Sequence, residues 1–355
     1  IMDTMRPIYE KAVADAKAAD TPEKRRGVGI AWGGFNVTEG GGDSAEVALE
    51  LMPGNKIRKY DTWHAMGQGA TTGSLVVTLE ALKEMHLTPE DIQLIQNDTK
   101  TCPDTGMAGA SRSLYMDGNA TIIAANKLLA AMRKEDGTLR TYDEMKAEGI
   151  ETKYLGRYET NTTPGLCRLD PNTGIGDPTP AFTYCLNLAE VEVDTKTGKT
   201  TVLKFTCVDF VGRIGNIDAV NGQAYSGIMH GIGFALKEDY ADVKKHANMF
   251  GAGTSYIKDV PDDINLIHID GAISDGPFGS SGASEAFQAS GHCAVLNGIY
   301  NACGVRIHEI PALPEKVKLV WMQSQRARNR TSRRNTSLVP ICMRNWRTSK
   351  RIRYR

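Results

Sequence analysis

Glu285 stands at the end of a stretch of small residues, Asp275-Gly-Pro-Phe-Gly-Ser-Ser-Gly-Ala-Ser-Glu285. Glycines at 276, 279 and 282 permit positive φ and close backbone approach. Ser280, Ser281 and Ser284 add hydroxyls, and the apolar run Ala286 to Ala302 follows. A loop of this kind leading into a helix collects free N–H groups, which suit a polar or anionic ligand. One carboxylate beside such a ligand suits a general base. The plainer reading is a glycine-rich turn with Glu285 in a first helical turn, where its charge gains roughly 0.3–1 kcal/mol from the helix dipole.

Two other loops repeat the pattern: Met66-Gly67-Gln68-Gly69-Ala70 and Gly109-Ala110-Ser111-Arg112-Ser113. Each is read as preceding a helix. Three helix N-termini converging on one point would hold a phosphate-bearing cofactor. Neither a P-loop nor a Rossmann fingerprint occurs, which argues against ATP and NAD. Ser280 and Ser281 have no His–Asp pair near them in sequence, so a hydrolase reading is poor. The seven cysteines show neither C-x-x-C nor zinc spacing and read as reduced, packed thiols. Four clustered thiolates for an iron–sulfur centre are absent from the sequence.

The elements that must carry these loops follow from periodicity and caps. Helical spacing covers Asp3 to Asp20, and a strand follows from Arg26 to Val37. A hairpin pairs Ala45–Leu51 with Ile57–Thr62 across Pro53-Gly54-Asn55. A helix is expected from Ser74 to about Met85, a strand over Ile92–Gln96, and a helix ending near Met132. A cap and short helix begin at Thr141, and Asn161 to Pro180 reads as a structured connection. Phe182–Val193 and Thr200–Val208 form a strand pair, Asn216–Leu236 a small-residue helix, and Ile264–Ile269 a strand. Phe287–Cys303 reads as one helix and Val305–Val317 as a terminal strand. The expected fold is α+β, with mixed helices and strand hairpins in two subdomains that divide near residues 160–180.

At 355 residues, 41% apolar and 24% charged, the chain has the composition of a globular protein. No run approaches the roughly 18 apolar residues of a membrane span, and no signal peptide is recognised. Zero net charge conceals an asymmetry. Residues 319–355 hold ten arginines, one lysine and no acid, a charge of +11, which leaves −11 on the remainder. This tail reads as the product of a shifted frame; the rival reading is a basic arm for nucleic acid.

Met66-Gly-Gln-Gly, Ala110-Ser-Arg-Ser113 with Gly118-Asn119-Ala120 after it, Gly222-Gln223 and Gly282-Ala-Ser-Glu285 together resemble the molybdenum hydroxylases, the xanthine dehydrogenase and aldehyde oxidase family. The longer runs Lys24-Arg-Arg-Gly-Val-Gly-Ile, Ile57-Arg-Lys-Tyr-Asp-Thr-Trp-His and Asn216-Ile-Asp-Ala-Val-Asn-Gly-Gln-Ala-Tyr look like its flavin-independent bacterial aldehyde oxidoreductases. The resemblance covers roughly residues 20–318 and implies the second molybdopterin-binding domain of the xanthine dehydrogenase type. Residues 1–20 would then be a helix continuing from an upstream domain, 21–318 the molybdopterin-binding domain, and 319–355 a tail outside the resemblance.

The resemblance implies that Met66, Gly67, Gln68, Gly69 and Ala70 bind the pterin and its phosphate. It places Ala110, Ser111 and Ser113 at the molybdenum end, with no protein ligand to the metal, and brings Gln223 to the pterin. Gly282 belongs to the same cofactor loop. Arg112 either neutralises a phosphate or forms an ion pair. Glu285 matches the family's essential base, although Ser284 stands where many relatives have glycine.

The implied activity is oxidation of aldehydes to carboxylic acids with water as oxygen source. The alternatives are hydroxylation of N-heteroaromatics such as purines, or a non-catalytic cofactor-binding or assembly fragment. The implied cofactors are molybdopterin, in its cytosine dinucleotide form, with molybdenum, and 2Fe-2S clusters outside this chain. Expected partners are an aldehyde substrate, an iron–sulfur domain or subunit, a first molybdenum domain and a second copy in a homodimer. Neither membrane nor nucleic acid is expected as a partner. The expected compartment is the cytoplasm, with the periplasm as alternative, and the chain is expected to be a fragment or subunit that is inactive alone.

Overall fold

Strand and helix signals place most of the chain, and a computed structural model shows how they assemble. Residues 1–332 are described apart from 39–41, 97, 161–168, 177–178, 274 and 305; Ser284 and residues 326–332 are described by their backbone alone. In chain order the elements begin α1 (Met2–Ala19), β1 (Lys24–Val37), β2 (Ser44–Met52), β3 (Lys56–Asp61), α2 (Ala70–Ala81) and β4 (Ile92–Gln96). They continue with α3 (Arg112–Met132), α4 (Tyr142–Ala147), β5 (Lys153–Glu159), β6 (Ala181–Asp194), β7 (Thr200–Phe210) and α5 (Ile217–Leu236). The last are α6 (Met249–Ala252), β8 (Asp263–His268), α7 (Ser284–Gln288), α8 (Gly291–Cys303) and α9 (Pro314–Ser332).

Among the described residues these strands form two four-stranded sheets, β1-β6-β7-β8 and β4-β3-β2-β5. The fold class is the expected one of mixed helices and strands. β1 precedes the second sheet in sequence yet pairs along its whole length with β6, from Lys24↔Asp194 to Val37↔Ala181. Both sheets end in a parallel pair, β7 with β8 and β3 with β4. Parallel neighbours need a crossover, which α5 and α2 supply.

Burial explains the layers. One face of the first sheet packs on α5, α7 and α8 through Phe205, Ile228, Phe287, Val295 and Ile299. The other face takes α1, whose Met5 and Ala12 meet Val28, Leu186, Leu188 and Val208. Each fully buried Leu, Ile or Phe of this kind contributes about 1.5–3 kcal/mol. α5 and α7 touch backbone to side chain: a Cβ on Gly227 would stand 2.7 Å from Phe287 Cβ. In the second sheet, Leu49, Leu51 and Ile57 pack with Leu82 of the turn after α2 and with Leu128 and Met132 of α3.

Four expectations of secondary structure differ from what is observed, and Cys293, expected to be packed, is exposed. β5, absent from the strand pattern, gives no hydropathy alternation, because its buried position is Gly156 and its Leu155 faces outward, although accessibility alternates along the strand. The helix expected from Ser74 begins earlier, at Ala70. The helix expected over Phe287–Cys303 is two helices, since Ser290 leaves the helical region (φ −130, ψ 2). Its hydroxyl accepts from Asn187 Nδ2 at 3.0 Å and donates to the Ala31 carbonyl at 3.3 Å. The terminal strand expected over Val305–Val317 is not formed: residues 306–313 are irregular, and α9 begins at Pro314, a first-turn position that proline favours. Val317 is fully buried, Val320 and Trp321 pack on the same core, and Arg25 lies 5.9 Å over the Trp321 ring. α9 therefore runs unbroken across the expected boundary at Lys318. Residues 333–355 of the basic tail, and 161–168 and 177–178 of the expected subdomain break, lie outside the described residues.

A charged cluster is buried where the second sheet meets its helices. Lys59, Asp61 and Asp117 are each 0% exposed. Lys59 Nζ donates to Asp117 Oδ1 at 2.7 Å and stands 3.2 Å from Asp61 Oδ2. Asp61 also accepts from Ser74 of α2 and Gln96 of β4, at 2.7 and 2.9 Å. Burial pushes the Asp117 carboxyl up, against the opposing pull of Lys59, to about 6. Asp209 is likewise lifted by burial, against the pull of His268, to about 6.

Two outcomes follow. Lys59→Met leaves two buried carboxylates uncompensated and is expected to cost about 3–5 kcal/mol in denaturant unfolding. Asp117 and Asp209 bind protons more tightly folded than unfolded, so stability falls as pH rises from about 4 to 6. Melting temperatures of Asp117→Asn should change less over that interval than those of the unsubstituted protein.

Candidate active site

The parallel pairs bring two helix N-termini together. β3 leads through residues 62–69 into α2, and β7 leads through residues 211–216 into α5. Each crossover helix thus begins beyond the carboxyl end of a strand, where open α/β sheets bind ligands. A Cβ on Gly69, the residue before α2, would stand 3.4 Å from Ala219 Cβ in the first turn of α5. Asn216 caps α5 by accepting from the Ala219 amide at 3.0 Å. The N-terminus of α3 faces the same space, and a cavity of about 660 Å³ lies between the three. Its walls include Trp63, Val76, Leu114 and Ile214.

Glu285, in the first turn of α7, lines this cavity. One carboxylate oxygen accepts the Ser111 hydroxyl, and the other accepts the Ser111 amide at 3.2 Å. Ser111 is the residue before α3 and holds a left-handed φ of 51°, as does Ala110. Two successive non-glycine residues in that region are strained, and strain of this kind gathers at functional sites. Here it aims the Ser111 donors across at α7. The approach depends on Gly282, where a Cβ would stand 1.8 Å from the Ser111 carbonyl.

The other expected site residues divide by position. Met66, Gln68, Gly69, Ala70, Ser111, Ser113, Gln223 and Gly282 line the cavity with Glu285. Gly67 lies on the exposed part of the same loop. The Gln68 amide folds back on that loop, donating to the His64 carbonyl at 2.7 Å and accepting from the Met66 amide at 2.5 Å. Ala110 does not line the cavity; its carbonyl accepts from the Thr38 amide at 3.1 Å. Arg112 is 4% exposed and also points elsewhere. Its Nε and one terminal nitrogen grip Asp43 at 2.8 and 2.7 Å, and three carbonyls, of Ser44, Thr105 and Met107, take further N–H bonds. All five donors of the guanidinium are thus engaged within the protein. Burial raises the Asp43 carboxyl, but the bonds from Arg112 and Thr38 outweigh it and hold it below its usual range. Of the two readings of Arg112, the geometry gives the ion pair.

Several cavity residues carried no sequence signal. Val76, Leu114 and Ile214 are ordinary apolar residues, and Arg213 sits in a short loop; Trp63 fell within a quoted run but was not singled out. Phe278 had one readable cue, its place between proline and glycine in a turn-rich run, and it takes a left-handed φ of 54°.

A phosphate-bearing cofactor fits this cavity on two observations of its walls. The N-termini of α2, α3 and α5 surround it, and each first helical turn leaves amides without intrahelical partners. Ser281 lines it at 5% exposure, and its hydroxyl has no hydrogen-bond partner among the described residues.

Comparisons with known proteins give the family. The profile of the molybdopterin cofactor-binding domain matches residues 5–261. The chain is 40% identical over 317 residues to an aldehyde oxidoreductase of Megalodesulfovibrio gigas, covering 89% of this chain and 35% of that protein. A probable hypoxanthine oxidase of Escherichia coli is 28% identical over 270 residues, 72% of this chain and 28% of that protein. The crystal structure of the aldehyde oxidoreductase from Desulfovibrio desulfuricans superposes with a TM-score of 0.86 at 43% identity, over 90% of this chain and 34% of that one. The chain therefore spans about a third of the length of these relatives. No described helix is long and apolar enough to cross a membrane.

Gly282→Ala is expected to push Ser111 away from α7 and to destabilise the protein by about 1–3 kcal/mol. A fall in melting temperature with lower retained cofactor checks this, and an unchanged melt counts against the close approach.

Proposed function

The chain belongs to the molybdopterin cofactor-binding domain family of the molybdenum hydroxylases, and from that premise we propose that it is the catalytic part of an enzyme oxidising aldehydes to carboxylic acids. Water supplies the added oxygen, and two electrons and two protons leave for each aldehyde. The observation that carries the reading is the Glu285 carboxylate on the wall of a cavity edged by three helix N-termini. The 40% identity to an aldehyde oxidoreductase favours aldehydes over N-heterocycles.

Main-chain amides of Met66–Ala70 and of the first turns of α2 and α3 would hold the pterin and its phosphate. Ser113 and Gln223 would complete the wall, and Ser111 would face the molybdenum end, with Ala110 behind it in the same turn. Arg112 would act indirectly, locking the loop before α3 onto Asp43. When bound, the molybdenum cofactor supplies the two-electron oxidation. Glu285 acts as general base: a carboxylate oxygen accepts the proton given up as the oxygen of water bonds to the substrate carbon. The Ser111 hydroxyl and amide orient that carboxylate, and the apolar walls at Trp63, Val76 and Leu114 limit competing water.

The same reading takes the cofactor as its cytosine dinucleotide and sends electrons to 2Fe-2S clusters in a companion domain or subunit. It completes the substrate funnel with a first molybdenum domain, in a homodimer of the cytoplasm or periplasm. The relatives' threefold greater length leaves room for such parts.

Glu285→Gln in the complete enzyme is expected to lower kcat by about 10²–10⁴-fold while leaving molybdenum content intact. Near-normal aldehyde turnover by this variant sinks the reading. A kcat/KM higher for hypoxanthine than for benzaldehyde in the unsubstituted enzyme would transfer the site to N-heterocycles.

A further inference from the structure

Among the described residues three charged side chains line the cavity, and their situations differ. Glu285 is held by Ser111, and Glu80 pairs with Lys83 at 3.0 Å. Arg213 has no carboxylate within salt-bridge distance among the described residues, and its guanidinium makes no hydrogen bond there. Arg213 is exposed at the cavity mouth, and its backbone is held in place. Its amide donates to the Gly279 carbonyl at 2.9 Å, and the neighbouring Gly212 bridges to Ser280. These contacts fasten the loop after β7 to the loop that carries Ser281, whose buried hydroxyl also lacks a partner. Phe278, held at a positive φ, adds an aromatic face to the same rim.

We propose that Arg213 is an anion-recognition residue of this cavity, taking an oxyanion, phosphate or carboxylate, of the molecule that fills it. The inference rests on the cavity being the cofactor and substrate site, as proposed above, but not on the role of Glu285. A guanidinium offers five N–H donors in a planar fork that matches such oxyanions two bonds at a time. Arg112 and Arg213 form a contrast within one site. The first has every donor engaged by the protein and is buried; the second is exposed, with its fork open, where it lines the cavity. Arg213 also follows β7 on the way to the N-terminus of α5, so its charge adds to that of the helix end. Ser281 supplies a neutral hydroxyl donor on the adjoining loop.

The test uses the complete enzyme, unsubstituted and as Arg213→Ala and Arg213→Lys, with two measurements that separate the sources of the oxyanion. The first is molybdenum and organic phosphate retained per protein after purification and extended dialysis. The second is kcat/KM for benzaldehyde and for 4-carboxybenzaldehyde. Loss of a charge-assisted bidentate bond corresponds to about a tenfold to hundredfold weakening. Cofactor retention lowered at least about tenfold by alanine and partly restored by lysine assigns the anion to cofactor phosphate. A rise of about tenfold in the benzaldehyde to 4-carboxybenzaldehyde preference, with cofactor retained, assigns it to substrate carboxylate. If alanine shifts neither retention nor preference, the proposal is overturned. The first measurement stands even if Glu285→Gln proves active, so the two readings fail separately.

Discussion

A lysine with no exposed surface, Lys59, ties together the elements on one side of the cavity. Removing an ammonium from water costs several kcal/mol unless carboxylates and hydrogen bonds surround it. Here the compensation is distributed over four elements. Asp61 lies on the same strand, Asp117 on α3, Ser74 on α2 and Gln96 on β4. None of these elements can shift without weakening the others' compensation. Two of them, α2 and α3, present their N-termini to the cavity. The cluster thus converts an electrostatic requirement in the core into a fixed spacing between two of the three helix ends at the site.

The third helix end comes from the other sheet by the same construction. β3-α2-β4 and β7-α5-β8 are both parallel pairs joined by a crossover helix. Their helices meet near Gly69 and Ala219, so the carboxyl edges of the two sheets face one space. The second unit has its own buried polar tie. His268 of β8 joins Asp209 of β7 and Asn221 of α5, both at 2.8 Å. Each crossover helix is therefore pinned to its strands by polar contacts as well as by apolar packing, and rigid elements of that kind position a site better than loops do.

The sequence displayed elements with a clear period and hid those defined by partners. β2, β3, β6, β7 and α5 follow from alternation, helical spacing and caps. Glu285, with the loops at Met66 and Gly109, stood out because small residues before a helix have a physical use. Ile57, Lys59 and Asp61 share one face of β3 by period two, and two charges on a core face were a readable sign of the buried cluster. Reading the strand as a plain hairpin member passed over it. Arg112 could not be assigned because Asp43 lies 69 positions away in the chain. The break at Ser290 depends on Asn187, on a distant strand, and α9 on a core assembled from both halves of the chain. Such partnerships are products of the fold, and no local window contains them.

The Glu285–Ser111 contact joins the two sheets at the point where chemistry is proposed. Glu285 belongs to α7, which packs on the first sheet, and Ser111 to the start of α3, which packs on the second. A carboxylate carried by one half is oriented by donors carried by the other. The contact therefore exists only where the helices of the two sheets meet, which is also where the cavity lies. Gly282 and the strained Ala110–Ser111 turn make sense together on this view. One removes a side chain from the seam, and the other turns a hydroxyl and an amide across it. A base placed wholly within one half would need neither, and would remain in place whether or not a cofactor could be held beside it. Placing it at the seam makes its orientation depend on the same packing that shapes the cavity.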